Sequence, residues 1–314
     1  MVWFFIGLGV LLLGGIVAML CFTLPISKKV YEICLVRTDA EKWPRVCSAP
    51  DNEEQLAMWN EGLEWAREHS ENMREVEIEN EGLHLVGELY DFGGSRCVII
   101  LPGRCECLKY SYFYAKPYAD EGVSVLVIDS RAHGLSEGKY STVGFAEGRD
   151  AVAWARYLIE KENISEVYFH GVCIGGAAAI FAATNPDCPE AVRGVVTEGC
   201  FVNFRETFKN HMIIDKHPVF PVLDMVMLRL WAKTGVNVLK ECPLRAVRSL
   251  KLPALFIFGE CDQYSVPEKS RKLFAACASE RKSQAWLPRG GHSHLRINNT
   301  EEYDGAVRSF LQSL

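Results

Sequence analysis

The apolar run Val167-Tyr168-Phe169 leads into Gly171-Val172-Cys173-Ile174-Gly175-Gly176, which opens a stretch of small residues, Ala177-Ala178-Ala179. This succession of strand, sharp turn and helix constrains the fold more than any other segment, because it places a thiol where G-x-S-x-G sequences carry a nucleophilic hydroxyl. The flanking glycines have a steric reason. A side chain held on a strained turn leaves no room for a Cβ on the helix and strand that cross there. Taken alone, the pentapeptide serves equally well for a core cysteine at the start of a Gly/Ala-rich helix, since free cysteines are among the most buried residues.

The surrounding chain alternates between strand and helix patterns. Arg74 to Glu79 and Leu83 to Tyr90 alternate in polarity around Asn80-Glu81-Gly82, which predicts a β-hairpin. Short apolar strands are predicted at Cys97–Leu101, Val123–Ile128, Glu166–His170, Val192–Thr197, Ala254–Phe258 and Ser283–Leu287. Between them fall predicted helices at Tyr110–Glu121, Phe145–Glu162, Pro267–Ala278 and Glu301–Leu311. Such alternation implies an α/β protein with a mostly parallel, twisted sheet flanked by helices. It breaks between Cys200 and about Arg248, where Phe204, Phe208, Met212, Ile213, Phe220, Leu228 and Trp231 are punctuated by Pro218 and Pro221. That stretch is expected to be a helical cap at about 200–248 that builds an apolar pocket over the turn, although an ordinary extra helical layer fits the same composition.

Val2 to Ile26 holds no charged residue and is long enough to cross a bilayer as a helix, with Lys28 and Lys29 directly after it. No basic segment precedes the run and no small-x-small cleavage site follows it, so an anchor is favoured over a cleaved signal peptide. The positive flank places the large domain on the cytoplasmic side of a single-pass topology. The chain then divides into an anchor (1–26), a linker with an amphipathic helix (27–73) and a main domain (74–314). Within the middle segment Asp51 is the expected N-cap of a helix through Glu68, whose apolar stripe is Leu56, Trp59, Leu63 and Ala66.

With 314 residues, 49% hydrophobic and 24% charged, the chain can bury a full core. Its 34 basic and 40 acidic residues give a net charge of −6 without a basic tract, which argues against a nucleic-acid partner. The cysteines are scattered and expected to be reduced. Cys105-x-Cys107 resembles half a metal site but lacks a second pair at zinc spacing, so no metal is expected.

A nucleophilic thiol needs a base, and the base needs an acid to orient it. Asp262 lies in Gly259-Glu260-Cys261-Asp262 after the Ala254 strand, and His292 follows Gly290-Gly291 after the last strand. Both positions fall at the carboxyl ends of strands, where α/β sites gather. Rival candidates are His294 as base, Glu198 as acid and His133 in Asp129-Ser130-Arg131-Ala132-His133-Gly134. Cys261 and Cys105 are candidate redox partners of Cys173, or simply small apolar fillers.

From about Arg74 onward the chain resembles α/β-hydrolases of the serine-aminopeptidase/lysophospholipase-like group, near bacterial members with an N-terminal membrane anchor. Four segments carry the likeness: Asp129 to Gly138, the Cys173 turn, Gly259 to Asp262 with Val266-Pro267 behind it, and Gly291-His292 followed by Tyr303. The resemblance implies Cys173 as nucleophile, His292 as general base and acid, and Asp262 as the residue fixing the imidazole. It also implies an oxyanion hole from the backbone N–H groups of Arg104 and Ile174, with no metal or organic cofactor. The sequence departs from the family at Cys173, where serine is usual, and at Pro102-Gly103, where His-Gly is usual. Dienelactone hydrolases use a thiolate on this fold. Because thiolate is a better leaving group than alkoxide, the expected substrates are esters, lactones or thioesters on a lipophilic small molecule, with peptides less suited. The Arg104 guanidinium is a candidate partner for an anionic substrate group. Membrane lipid is the expected contact of the N-terminal helix, and the sequence leaves protein partners open. The alternative reading is a hydrolase-fold protein without turnover that serves as a membrane-tethered binding or interaction module.

Overall fold

The computed structural model describes residues 1–37, 50 and 52–314. Helix α1 (Val2–Leu35) comes first and is long and apolar enough to cross a membrane. It does not end with its apolar run: the linker expected to begin at Ser27 is helical to Leu35. Ser27, Tyr31 and Leu35 recur every four residues and are buried, so this last stretch packs on the main domain as one helical face. Val36 then bridges Tyr140.

Helix α2 (Glu53–Glu68) is capped by Asn52, whose Oδ1 accepts the Gln55 N–H at 3.1 Å; the expected cap, Asp51, lies outside the described residues. The buried face of α2 is Met58, Trp59, Gly62 and Trp65, while Leu56 and Leu63 are exposed, so the face is rotated from the expected stripe. Gly62 sets that rotation, because a Cβ there would meet the Phe113 nitrogen at 2.9 Å.

Eight strands follow: β1 (Met73–Asn80), β2 (Leu83–Tyr90), β3 (Arg96–Leu101), β4 (Ser124–Ile128), β5 (Glu166–Val172), β6 (Val192–Glu198), β7 (Ala254–Gly259) and β8 (Lys282–Leu287). They form one sheet in the order β1-β2-β4-β3-β5-β6-β7-β8. The β1–β2 hairpin turns through Glu81 and Gly82, both with positive φ, the geometry that matches the twist of paired strands. β2 pairs antiparallel with β4, and every pairing from β4 to β8 is parallel. Val98, Ile99 and Ile100 on β3 and Val125, Leu126 and Val127 on β4 are wholly buried, as expected of strands covered on both faces.

The connecting helices are α3 (Leu108–Ser111), α4 (Lys116–Ala119), α5 (Phe145–Lys161), α6 (Ile174–Ala183), α7 (Phe204–Ile214), α8 (Val222–Thr234), α9 (Pro243–Ala246), α10 (Pro267–Ala276), α11 (Leu295–Asn298) and α12 (Thr300–Gln312). The helix expected over Tyr110–Glu121 is instead α3, a 3-10 turn at Tyr112–Tyr114 and α4. Pro117 accounts for part of that break, since it cannot donate within a continuous helix. α7 and α8 occupy the stretch expected to be the cap.

Candidate active site

Six loops leave the carboxyl edge of the sheet side by side, after β3, β4, β5, β6, β7 and β8. Between β5 and α6 stands Cys173, with φ 53° and ψ −109°. A non-glycine residue in that region is strained and persists only where its surroundings force it. The forcing is visible: a Cβ on Gly171 would lie 2.1 Å from the Gly175 oxygen, and one on Gly175 would lie 2.0 Å from the Leu101 oxygen. The helix start is thus pressed onto two strands at once. The Cys173 N–H donates to the Glu198 carbonyl at 2.9 Å, which fixes the turn from β6. A cysteine serving only as core filler needs no such backbone, and Cys173 is 8% exposed rather than sealed.

Asp262 sits in the loop after β7. Its Oδ1 accepts the N–H groups of Tyr264 and Ser265, each at 2.8 Å, which leaves Oδ2 to meet His292 Nδ1 at 2.7 Å. Burial works to raise this carboxyl, but His292 and the two N–H groups outweigh it and hold Asp262 below the usual carboxylate range. His292 lies after β8. Burial opposes its protonation, yet Cys173 and Asp262 raise its pKa well above the ordinary imidazole value. Its Nε2 is buried without a well-aligned hydrogen bond, and Cys173 is the side chain close enough to act on that side of the ring. Long or poorly aligned contacts of this kind are common before substrate binds.

The backbone N–H groups of Ile174 and Arg104 have no acceptor among the described residues. By contrast, the Gly103 N–H is taken by Glu106 Oε2 at 2.7 Å. The Arg104 side chain lies near Cys173, Cys105, Cys34 and Asp215 and forms no ion pair among the described residues.

The rival candidates are engaged elsewhere. His294 Nδ1 faces Glu54 at 3.2 Å. Glu198 accepts from the Tyr303 hydroxyl at 2.8 Å, and Tyr303 also contacts His170 Nε2 at 3.0 Å. His133 Nδ1 meets the Arg131 carbonyl at 2.9 Å, and the Asp129 carboxylate takes the N–H groups of Leu108 and Leu135, so that segment braces loops. Neither Cys105 nor Cys261 is disulfide-bonded, and both are exposed. Cys107, however, is held in a disulfide, which departs from the expectation of wholly reduced cysteines.

Several residues at the site had no signal in the sequence. Gly199, with φ 57°, lies against the His292 ring, where a Cβ would meet Cε1 at 3.2 Å. From α7, His211 stacks on Tyr264 at 3.7 Å, and Tyr264 stands edge-on to His292 at 5.5 Å. Burial, with Arg104 and His292 nearby, drives His211 down to about 3, so it stacks as a neutral ring. Thr207 and Asn210, also on α7, donate to the Tyr264 carbonyl at 2.9 and 3.0 Å. α7 therefore grips the loop that carries Asp262. Buried apolar residues of the stretch expected to be the cap include Phe204, Phe208, Met212, Val222 and Leu223, whereas Ile213, Phe220, Leu228 and Trp231, expected to line a pocket, are exposed.

A mostly parallel sheet carrying a strained turn after β5, an acid after β7 and a histidine after β8 defines the α/β-hydrolase fold, and the chain has that fold. A family model described as alpha/beta hydrolase fold matches residues 96–229. An uncharacterized protein of Bacillus subtilis, YqkD, is 25% identical over 219 residues, covering 69% of this chain and 71% of that protein. The uncharacterized membrane protein YNL320W of Saccharomyces cerevisiae is 26% identical over 197 residues, and the match spans only 62% of either chain. Among solved structures, the Pyrococcus furiosus esterase Pf2001 superposes with a TM-score of 0.66 at 23% identity, covering 79% of this chain and 93% of the esterase. At that identity the likeness concerns the fold.

Proposed function

We propose that this chain is a membrane-anchored acyl hydrolase that cleaves ester, lactone or thioester bonds of a lipophilic substrate through a Cys173–His292–Asp262 triad. The observation that carries the reading is the imidazole of His292, bonded to Asp262 on one side and raised in pKa by Cys173 on the other. With the proton on His292, the sulfur is a thiolate and attacks the substrate carbonyl carbon. The resulting oxyanion meets the free N–H groups of Ile174 and Arg104. His292 then gives its Nε2 proton to the departing alcohol or thiol, leaving an acyl-thioester on Cys173. A water molecule, deprotonated by His292, attacks that thioester, and the acid leaves as the thiolate and imidazolium re-form. Asp262 keeps the Nδ1 proton in place throughout, so the ring presents Nε2 to the reaction.

The anchor reading draws on the composition of α1 and on the membrane description of YNL320W. Lys28 and Lys29 favour a cytoplasmic hydrolase domain, and the disulfide at Cys107 is the feature that argues for an oxidising compartment instead. Protease protection of sealed vesicles distinguishes the two sides.

The activity is tested on the full chain in detergent with p-nitrophenyl esters and acyl thioesters of increasing chain length, with and without iodoacetamide. Turnover that alkylation abolishes and that C173A lacks supports the hydrolase. Absence of turnover across the panel rejects it and favours a tethered binding module.

A further inference from the structure

α1 runs for 34 residues, about 51 Å at 1.5 Å per residue, against a hydrocarbon core of about 30 Å. The excess is the part that packs on the domain. Phe4, Leu11, Leu12, Val17 and Phe22 are exposed, whereas Ser27, Tyr31 and Leu35 are buried. Contact with the cap begins between these groups: Arg229 on α8 donates to the Leu24 carbonyl at 3.2 Å and reaches the Ser27 hydroxyl at 3.4 Å. If the apolar run Val2–Ile26 lies in a bilayer, Leu24 marks its edge, and α8 is held at headgroup depth beside it.

The surface of α8 suits that depth. Leu228 and Trp231, three residues apart and therefore on one face, are 57% and 52% exposed. Elsewhere on the cap, Phe220 and Ile213 are 76% and 54% exposed. Large apolar side chains left open to water on neighbouring elements need an apolar partner. Around this region stand exposed Lys28 and Lys29 on α1, Lys216 after α7 and Lys233 on α8, together with Glu32, Asp215 and Asp224, of which Glu32 pairs with Lys28 and Asp224 with Arg205. An exposed tryptophan and leucine on a helix packed beside the apolar α1, with lysines on both helices, match the composition of the membrane interface.

We infer that the α8 face formed by Leu228 and Trp231 lies in the headgroup and acyl boundary of the bilayer that α1 crosses, so that the cap stands on the membrane. The inference rests on the anchor reading of α1. The occupant is lipid rather than a second copy of the chain because α8, which bears the face, packs beside α1, whose outer surface is apolar and exposed. α7, which packs against α8, holds the loop of Asp262 through Thr207 and Asn210, so the element placed at the lipid is tied to the site. A substrate partitioned in the outer acyl layer therefore starts its path next to the cap.

The full chain is reconstituted, one copy per nanodisc, in mixed phosphatidylcholine and phosphatidylglycerol, and tryptophan fluorescence is quenched by lipids brominated near the headgroup. Comparison with W3F isolates the quenching of Trp3 in α1, and comparison with W231F isolates that of Trp231. Loss of a quenched component in both variants is expected. A Trp3 component without a Trp231 component overturns the inference while sparing the anchor. No Trp3 component removes the anchor and the inference with it. A double variant, L228E/W231E, is expected to lose several-fold activity towards a long-chain ester embedded in the disc and to keep its activity towards p-nitrophenyl acetate. Equal activity of variant and parent on the embedded ester also overturns the inference.

Discussion

Gly199 shows how narrowly the site is built. Its φ of 57° and its contact with the imidazole leave little space for a methyl group, which would meet Cε1 at 3.2 Å and Nδ1 at 3.3 Å. G199A is expected to add about 1–2 kcal/mol of backbone strain and to displace His292 from Asp262. Stopped-flow acylation checks this: kcat falls about tenfold or more with little change in KM, and an unchanged kcat contradicts the contact. Glu198, one residue earlier, makes a pH-dependent contribution. Burial pushes its carboxyl up to about 7, against the Tyr303 hydrogen bond, whereas an unfolded glutamate titrates near 4.3. Between those values the folded state binds more protons than the unfolded one, so stability falls as pH rises through the window. E198Q keeps an acceptor for Tyr303 without the charge. Its Tm relative to the parent should therefore be more positive at pH 8 than at pH 5, and a shift of the opposite sign refutes the assignment. Cys173, Asp262 and His292 could be named from the sequence because each follows a strand in a local glycine-rich or acidic pattern. Gly199, Glu106 and His211 could not, because their roles arise from contacts between segments far apart in the chain.

The strands and long helices of the hydrolase domain were legible as elements, since buried parallel strands read as short apolar runs and α5, α10 and α12 carry clear punctuation. The errors fall where tertiary contact overrides local pattern. Residues 27–35 look like a polar linker because Lys28, Lys29 and Glu32 dominate them, yet every fourth residue is buried and the helix continues. α2 turns Met58 and Trp65 inward rather than Leu56 and Leu63 because Gly62 fits against the Phe113 backbone. The end of α1 is thus part of the folded domain, and Leu35, wholly buried, tests it. L35A is expected to cost about 2–5 kcal/mol, as large-to-small core changes do, whereas L12A on the exposed stretch costs almost nothing. Chemical unfolding of the full chain in nanodiscs measures both. Equal, small effects would mean that the last two turns of α1 are not docked.

At the scale of the whole molecule, the parallel sheet does the collecting. Cys173, Asp262 and His292 are separated by 89 and 30 positions in the sequence, yet the right-handed crossovers of a parallel sheet return every strand's carboxyl end to one edge. The antiparallel β1–β2 hairpin extends the opposite side and contributes none of the three. At this edge α7 grips the Tyr264 loop and α8 holds α1, so α1, the two helices and the site form one connected unit. The central claim is that the sulfur of Cys173 becomes acylated. Mixing the full chain with a medium-chain acyl thioester, quenching in acid within the first turnover and mapping the peptides by mass spectrometry tests it most directly. The account predicts one acyl group on the peptide carrying Cys173, absent after iodoacetamide treatment and accumulating in H292Q more slowly than in the parent. Turnover with no adduct on that peptide, undiminished in C173A, would contradict it.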